Sequence, residues 1–254
     1  MKKNYWNRIK ARWYRRGLEY SNFAQTVLTK ILPLTEECRS FLDVGAGCGT
    51  LSIPLARAGK RVTALDPSPH MIDILKEDMK RLGIKNIRPI VAEWGERKIP
   101  PHDVVICANV PELLKGSERF PLEANSLARK FVFLITSAGP EQDKFYYKEL
   151  YPLLFNKPFN KREDYLKTYT TLHSLGIFAN VEIIEYDFDQ PFKDMDEAVE
   201  FWKEYLGIVT EEFDEKLKAF LSKKLEPIQD GLLARFHKRS AIIWWRKVGG
   251  LKAV

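Results

Sequence analysis

Phe41-Leu42-Asp43-Val44-Gly45-Ala46-Gly47-Cys48-Gly49-Thr50 is the stretch on which the reading of this chain turns. A short apolar run stops at three glycines on alternate positions, and a helical pattern starts at once, from about Thr50 to Ala58. Glycines at such a corner let a ligand lie against backbone that side chains would otherwise shield. A second apolar run, Arg61 to Asp66, ends 21 residues after Gly45 in a carboxylate, which suits acceptance of two ribose hydroxyls. The spacing excludes a dinucleotide site: G-x-G-x-x-G would put its third glycine where Thr50 stands, and here it is Gly49.

Outward from this loop, β-rich runs alternate with helical ones. Strands are expected at Ser40 to Val44, Arg61 to Asp66, Ile87 to Ala92, Val104 to Ala108 and Lys130 to Ser137, with helices near Thr50 to Ala58, Pro69 to Leu82 and Leu122 to Ala128. Such alternation builds βαβ units and a parallel sheet. Beyond Ser137 the rhythm changes. Helices are expected at Glu141 to Phe155 and Glu163 to Ser174, a strand at Asn180 to Asp187, helices at Met195 to Leu206 and Glu211 to Leu225, and a closing strand at Ser240 to Arg246. In front of the sheet a helix around Asn22 to Leu32 is expected to stop at Pro33.

The chain has 254 residues, 45% of them hydrophobic and 30% charged, which fits a folded globular protein and excludes disordered and collagen-like classes. Apolar runs such as Phe131 to Ile135 are far too short to span a bilayer, and no signal-peptide core is visible. The expected location is the cytoplasm, without membrane attachment. Cys38, Cys48 and Cys107 form no paired motif, so neither a disulfide framework nor a metal site is expected.

The net charge of +7 is concentrated at the start of the chain, where residues 1–40 hold nine Lys/Arg against three Asp/Glu. Lys2, Lys3, Arg8, Lys10, Arg12, Arg15 and Arg16 are interleaved with Tyr5, Trp6, Trp13 and Tyr14. Two readings stand: an arm that follows a phosphate backbone, or a helix laying Trp6, Ile9, Trp13, Gly17 and Tyr20 over a domain.

The run Asp43 to Gly49 together with Asp66 resembles the class I S-adenosylmethionine-dependent methyltransferases, and the resemblance extends from about Phe41 to Ser137. It implies a Rossmann-like α/β fold with a doubly wound, mostly parallel seven-stranded sheet. It further implies S-adenosylmethionine as cofactor and S-adenosylhomocysteine as product. Gly45, Ala46, Gly47, Cys48 and Gly49 would lie along the methionine part, Asp43 near its amino group and Asp66 on the ribose. Pro67, Ser68 and Met71 would border the adenine, with Glu93 reaching its amino group and Trp94 beside it. Glu93 departs from the aspartate more usual there. Asn109, in Asn109-Val110-Pro111-Glu112, would line the site where the methyl group is transferred; Val110 and Glu112 depart from the motif of amino-group methyltransferases.

Alignment dominates methyl transfer, so no dedicated base is compulsory. Candidates for catalytic contact are Asn109, Tyr146 and His173, with Glu112 and Tyr147 also within consideration as bases. Residues 1–40 are expected to form a basic helical lid on a methyltransferase domain spanning 41–254, with helical cap insertions at about 139–160 and 191–239. Their aromatics, Tyr5, Trp6, Tyr14, Tyr20, Phe145, Tyr146, Tyr147, Phe201 and Trp202, either line a small-molecule cavity or build the core that attaches the cap. A small-molecule acceptor is the leading expectation. A transfer or ribosomal RNA methyltransferase using the basic arm, and a non-catalytic cofactor-binding subunit, are the alternatives. Oligomeric state is not written in the sequence.

Overall fold

The structure, a computed structural model, describes residues 5–114, 118–139, 143, 145–159 and 165–250. In chain order its elements are α1 (Arg8–Gly17), α2 (Phe23–Leu34), β1 (Ser40–Val44), α3 (Ser52–Arg57), β2 (Arg61–Asp66), α4 (Pro69–Leu82), β3 (Ile87–Val91), β4 (His102–Ala108), α5 (Pro111–Leu114), α6 (Arg119–Leu127) and β5 (Ala128–Ser137). There follow α7 (Tyr147–Phe155), α8 (Tyr165–Ser174), β6 (Asn180–Asp187), β7 (Gln190–Phe192), α9 (Met195–Leu206), α10 (Asp214–Leu221), β8 (Glu226–Ile228), β9 (Gly231–Ala234) and β10 (His237–Arg246).

Seven strands form one sheet in the order β3-β2-β1-β4-β5-β10-β6. The first five are parallel, and β10 runs antiparallel to both its neighbours. Alternate side chains point to opposite faces of a strand, so neighbouring residues serve different cores. Phe41, Val104, Ile106 and Phe133 pack one face against Ile31, Leu55 and Leu75 of α2, α3 and α4. Leu42, Val105, Val132 and Leu134 pack the other against Phe120, Ala124 and Leu172 of α6 and α8. Burial on both faces is why these strands read as continuous apolar runs. Because β1, β2, β4 and β5 are parallel, their carboxyl ends open on one edge, where ligands of open α/β sheets bind.

The helix after β2 is sharply delimited. Ser68 caps α4 by accepting the Met71 N–H at 3.3 Å, Pro69 occupies its first turn, and Gly83 leaves it in the left-handed region at φ 67°.

A third apolar cluster stands apart from the two sheet faces. It joins Trp13 of α1 with Phe145, Leu150, Phe192, Phe201, Trp202, Leu217 and Phe236. The segment 191–239, read as helical, also contains β8 and β9, which form with β7 a three-stranded antiparallel sheet in the order β7-β9-β8. Strands of three or four residues are too short to display a period; Gln229 and Asp230 form the two-residue turn, and Gly231 opens β9 opposite Ile228. Gly231 sits at φ 139°, and a Cβ there would fall 2.0 Å from the Phe192 carbonyl oxygen.

Other boundaries differ from expectation. Pro33 lies inside the last turn of α2, which ends at Leu34. The helices expected from Glu141 and Glu163 begin at Tyr147 and Tyr165; residues 140–142, 144 and 160–164 lie outside the described residues, as do Lys2 and Lys3. The helix expected at Glu211 to Leu225 occupies Asp214–Leu221.

Candidate active site

The glycine loop turns between β1 and α3 with Gly45, Gly47 and Gly49 at φ 73°, 56° and 91°. Each performs a different steric task. A Cβ on Gly45 would fall 2.2 Å from Val110 Cγ2, and one on Gly49 would fall 2.6 Å from Leu75 Cδ1 of α4. At Gly47 the nearest atom is Met71 Sδ at 4.0 Å, so this backbone is bare toward the cavity. Gly45 and Ala46 donate to the Leu65 carbonyl, and Gly47 donates to Asp66 Oδ2 at 2.9 Å.

Asp66 is buried, and its other oxygen accepts the Ser68 N–H at 2.8 Å. Burial raises its carboxyl above the usual range, against the pull of those two backbone donors. A carboxylate offers about four acceptor positions; among the described residues two N–H donors and no cation serve this one. Asp43, also buried, accepts from Ser52 Oγ at 2.6 Å. Burial drives its carboxyl up to about 7, with the nearby Asp66 charge adding to the rise.

These groups edge a cavity of about 290 Å³, lined by Asp43, Gly45, Ala46, Gly47, Asp66 and Met71 on one side. Asn109, Thr136, Ser137, Phe145, Tyr147, Tyr186, Phe188, Gln190, Tyr205, Lys238 and Arg239 are among the residues that line it elsewhere. A second cavity of about 250 Å³, walled by Leu65, Pro67, Glu93, Trp94, Arg119 and Phe120, shares Gly45 and Val110 with the first. Trp94 stands edge-on to Phe120 at 5.0 Å and donates its indole N–H to Glu123.

The sequence candidates thus fall into groups. Asp43, Gly45, Ala46, Gly47, Asp66, Met71 and Asn109 meet at the larger cavity; Pro67, Glu93 and Trp94 meet at the smaller. Asn109 is held at φ 56°, its N–H bonded to the Ile135 carbonyl at 2.8 Å. Cys48 turns into a buried cluster with Ala11 and Met71, Gly49 faces α4, and Ser68 is consumed as a helix cap whose hydroxyl donates to the Trp6 carbonyl.

Two catalytic candidates lie elsewhere. Tyr146 stacks on Trp202 at 5.9 Å and donates to the Arg235 carbonyl, which places its ring in the third apolar cluster. His173 is exposed on α8 against Phe178. Glu112 is exposed on α5, whereas Tyr147 does line the cavity and donates to the Tyr205 carbonyl at 3.3 Å. Phe201 and Trp202 are fully buried core and line neither cavity.

The basic start of the chain is a packed helix. Lys10, Ala11, Trp13 and Gly17 form its buried side, while Ile9 is 48% exposed and Tyr20 41% exposed, so the covered face is rotated from the expected one. Trp13 and Gly17 stay covered as expected, whereas Lys10 and Ala11 take the place of Ile9; a Cβ on Gly17 would lie 2.9 Å from Gln190 Oε1. Tyr14 shares a hydrogen bond with Thr50 beside the glycine loop at 3.1 Å, and Arg15 pairs with Asp78 of α4. Arg16 and the Trp13 indole both donate to Glu197 of α9, and Lys10 pairs with Glu204. Helix α1 therefore straps the sheet to α9, and Trp6 and Tyr14 roof the cavity.

Sequence reasoning missed Tyr186, Phe188, Gln190, Lys238 and Arg239. Lys238 and Arg239 belong to β10, whose expected start at Ser240 was three residues late.

Among the described residues no cluster of His, Cys, Asp or Glu is arranged to hold a metal, and no helix is long and apolar enough to cross a membrane.

The Methyltransferase domain family matches residues 41–125. An uncharacterized protein of Haemophilus influenzae is 29% identical over 239 residues, covering 89% of this chain and 82% of that protein. A ubiquinone biosynthesis O-methyltransferase of Methylobacterium nodulans is 40% identical over 86 residues, 32% of each chain. In fold, the chain is similar to the magnesium protoporphyrin IX methyltransferase of Synechocystis PCC 6803, solved with bound S-adenosylhomocysteine, at a TM-score of 0.51 and 15% identity over 91% of this chain and 85% of that one. The matched methyltransferase domain begins on the strand that carries the glycine loop, and the sheet built around it has the fold of the S-adenosylmethionine-dependent methyltransferases.

Proposed function

We propose that the enzyme methylates a small-molecule acceptor inside the larger cavity. One observation carries this reading: the cavity begins at the bare backbone of Gly47 and continues past Asn109 to aromatic walls supplied by segments outside the five parallel strands. Enclosed apolar space with a few convergent polar groups is what a small ligand requires.

The pocket residues fit the cofactor. Asp66 keeps acceptor positions for ribose hydroxyls, Gly45 and Gly47 present backbone without side chains, and Asp43 offers a buried carboxyl toward an ammonium. Glu93 and Trp94 would take the adenine in the smaller cavity. When bound, S-adenosylmethionine supplies an electrophilic methyl group on a sulfonium. The protein's contribution is then orientation, worth about 7–11 kcal/mol of the barrier in well-aligned systems. Asn109, fixed by its Ile135 bond, lines the same cavity as the glycine loop and Tyr186, together with Trp6, Tyr14 and Tyr205.

Incubation with methyl-labelled S-adenosylmethionine and separate RNA, protein and small-molecule fractions tests the reading. Label in the small-molecule fraction is expected. Label in RNA would overturn it and assign the surface of α1 to nucleic acid, with Arg8 and Arg12 as the side chains to neutralise.

A further inference from the structure

Lys238 sits on β10 directly across from Tyr186 of β6, and both line the larger cavity. Its ammonium lies 4.8 Å from the centre of the Phe188 ring, 5.3 Å from Phe145 and 5.5 Å from Phe236. Among the described residues it makes no hydrogen bond and no ion pair. The carboxylates around it are engaged with other groups. Asp189 accepts from Arg235 and from the Phe236 N–H, Glu185 accepts from Arg239, and Asp143 on the cavity wall accepts the Lys148 N–H.

Burial lowers the ammonium to about 8, against the raising influence of Asp189, so it is largely charged at neutral pH. Contacts with ring faces attract an ammonium only modestly. Withdrawing an ammonium from water costs several kcal/mol even after relaxation. The rings offset only part of that, and an anion entering the cavity would supply a further partner. A single ammonium among aromatic walls, with the Gln190 amide already donating to the Trp13 and Pro191 carbonyls, matches one negative charge on a flat, apolar body.

We propose that the acceptor is an aromatic carboxylate, its ring held between Phe145, Tyr186 and Phe188 and its carboxylate paired with Lys238. This rests on the small-molecule reading above and names the class of substrate for that same site.

Calorimetry on the full chain saturated with S-adenosylhomocysteine, comparing 2-naphthoate with its neutral analogue 2-naphthamide, tests the proposal. A charge-assisted hydrogen bond of about 1.5–3 kcal/mol predicts that the acid binds about tenfold or more tighter at pH 7. Lys238→Met and Lys238→Gln should abolish that preference while leaving S-adenosylhomocysteine affinity unchanged, which identifies a folded cofactor site. Equal binding of acid and amide, failure of the wild type to bind the acid, or a preference surviving in both variants would overturn the proposal. Tighter binding of the amide would overturn it too, yet leave a small-molecule site standing. RNA labelling in the fraction experiment would remove the small-molecule reading itself.

Discussion

Val110 Cγ2 occupies the position a side chain on Gly45 would need, 2.2 Å from its ideal Cβ. The two residues belong to different loops, after β1 and after β4, and both border both cavities. Gly45 thus lets the β4 loop close over the glycine loop.

Gly45→Ala should destabilise the protein by about 2–4 kcal/mol, combining an unfavourable φ of 73° with overpacking against Val110. In a Val110→Ala background the same change should cost less, because only the backbone part remains. Thermal melts of the four proteins of this cycle check the coupling; strict additivity would show that the contact carries no energy.

Asp66→Ala should weaken S-adenosylhomocysteine binding about 100-fold or more, the loss expected if Asp66 accepts two charge-assisted hydrogen bonds from the ribose as proposed. Titration calorimetry reads this directly. An unchanged affinity would move the ribose away from β2.

Asp43 predicts a pH dependence. Its carboxyl is raised from 3.8 to about 7 by burial, so the native state holds a proton that the unfolded chain releases. The stability this provides is fully present below the unfolded value and is lost as pH rises toward 7, at up to about 1.4 kcal/mol per pH unit. Asp43→Asn removes that slope. The melting temperature of the variant, relative to wild type, should therefore be higher at pH 8 than at pH 5, and a difference independent of pH would refute the assignment.

Glu197 fastens α1 to α9, accepting the Trp13 indole at 2.9 Å, Arg16 at 2.7 Å and the Lys193 N–H at 2.7 Å. Burial pushes its carboxyl up, but these donors outweigh it and hold the group below its usual range. The strap is therefore stable above that range and is lost as pH falls through the lowered value. Glu197→Ala should loosen α1 by about 2–4 kcal/mol, leaving two side-chain donors unpaired. Hydrogen exchange should accelerate in residues 8–17 while β1 and β4 stay protected.

What sequence determined was local. The strands 40–44 and 61–66, the glycine corner and the acid at Asp66 are written in neighbouring residues, because burial on both faces, positive φ and strand ends each leave a mark on the chain at the place they act. Tertiary structure decided the rest. Whether Tyr146 or Tyr147 faced the cavity depended on which ring found Trp202, and α1 became a strap because Glu197 and Asp78 arrived beside it from distant segments. Lys238 became a cavity cation only when a ten-residue strand brought it opposite Tyr186, under rings contributed by three separate stretches of chain. Contacts between remote residues leave no period in a sequence, so the glycine loop and its acid could be read from the chain, and the side chains that meet them from β6 and β10 could not.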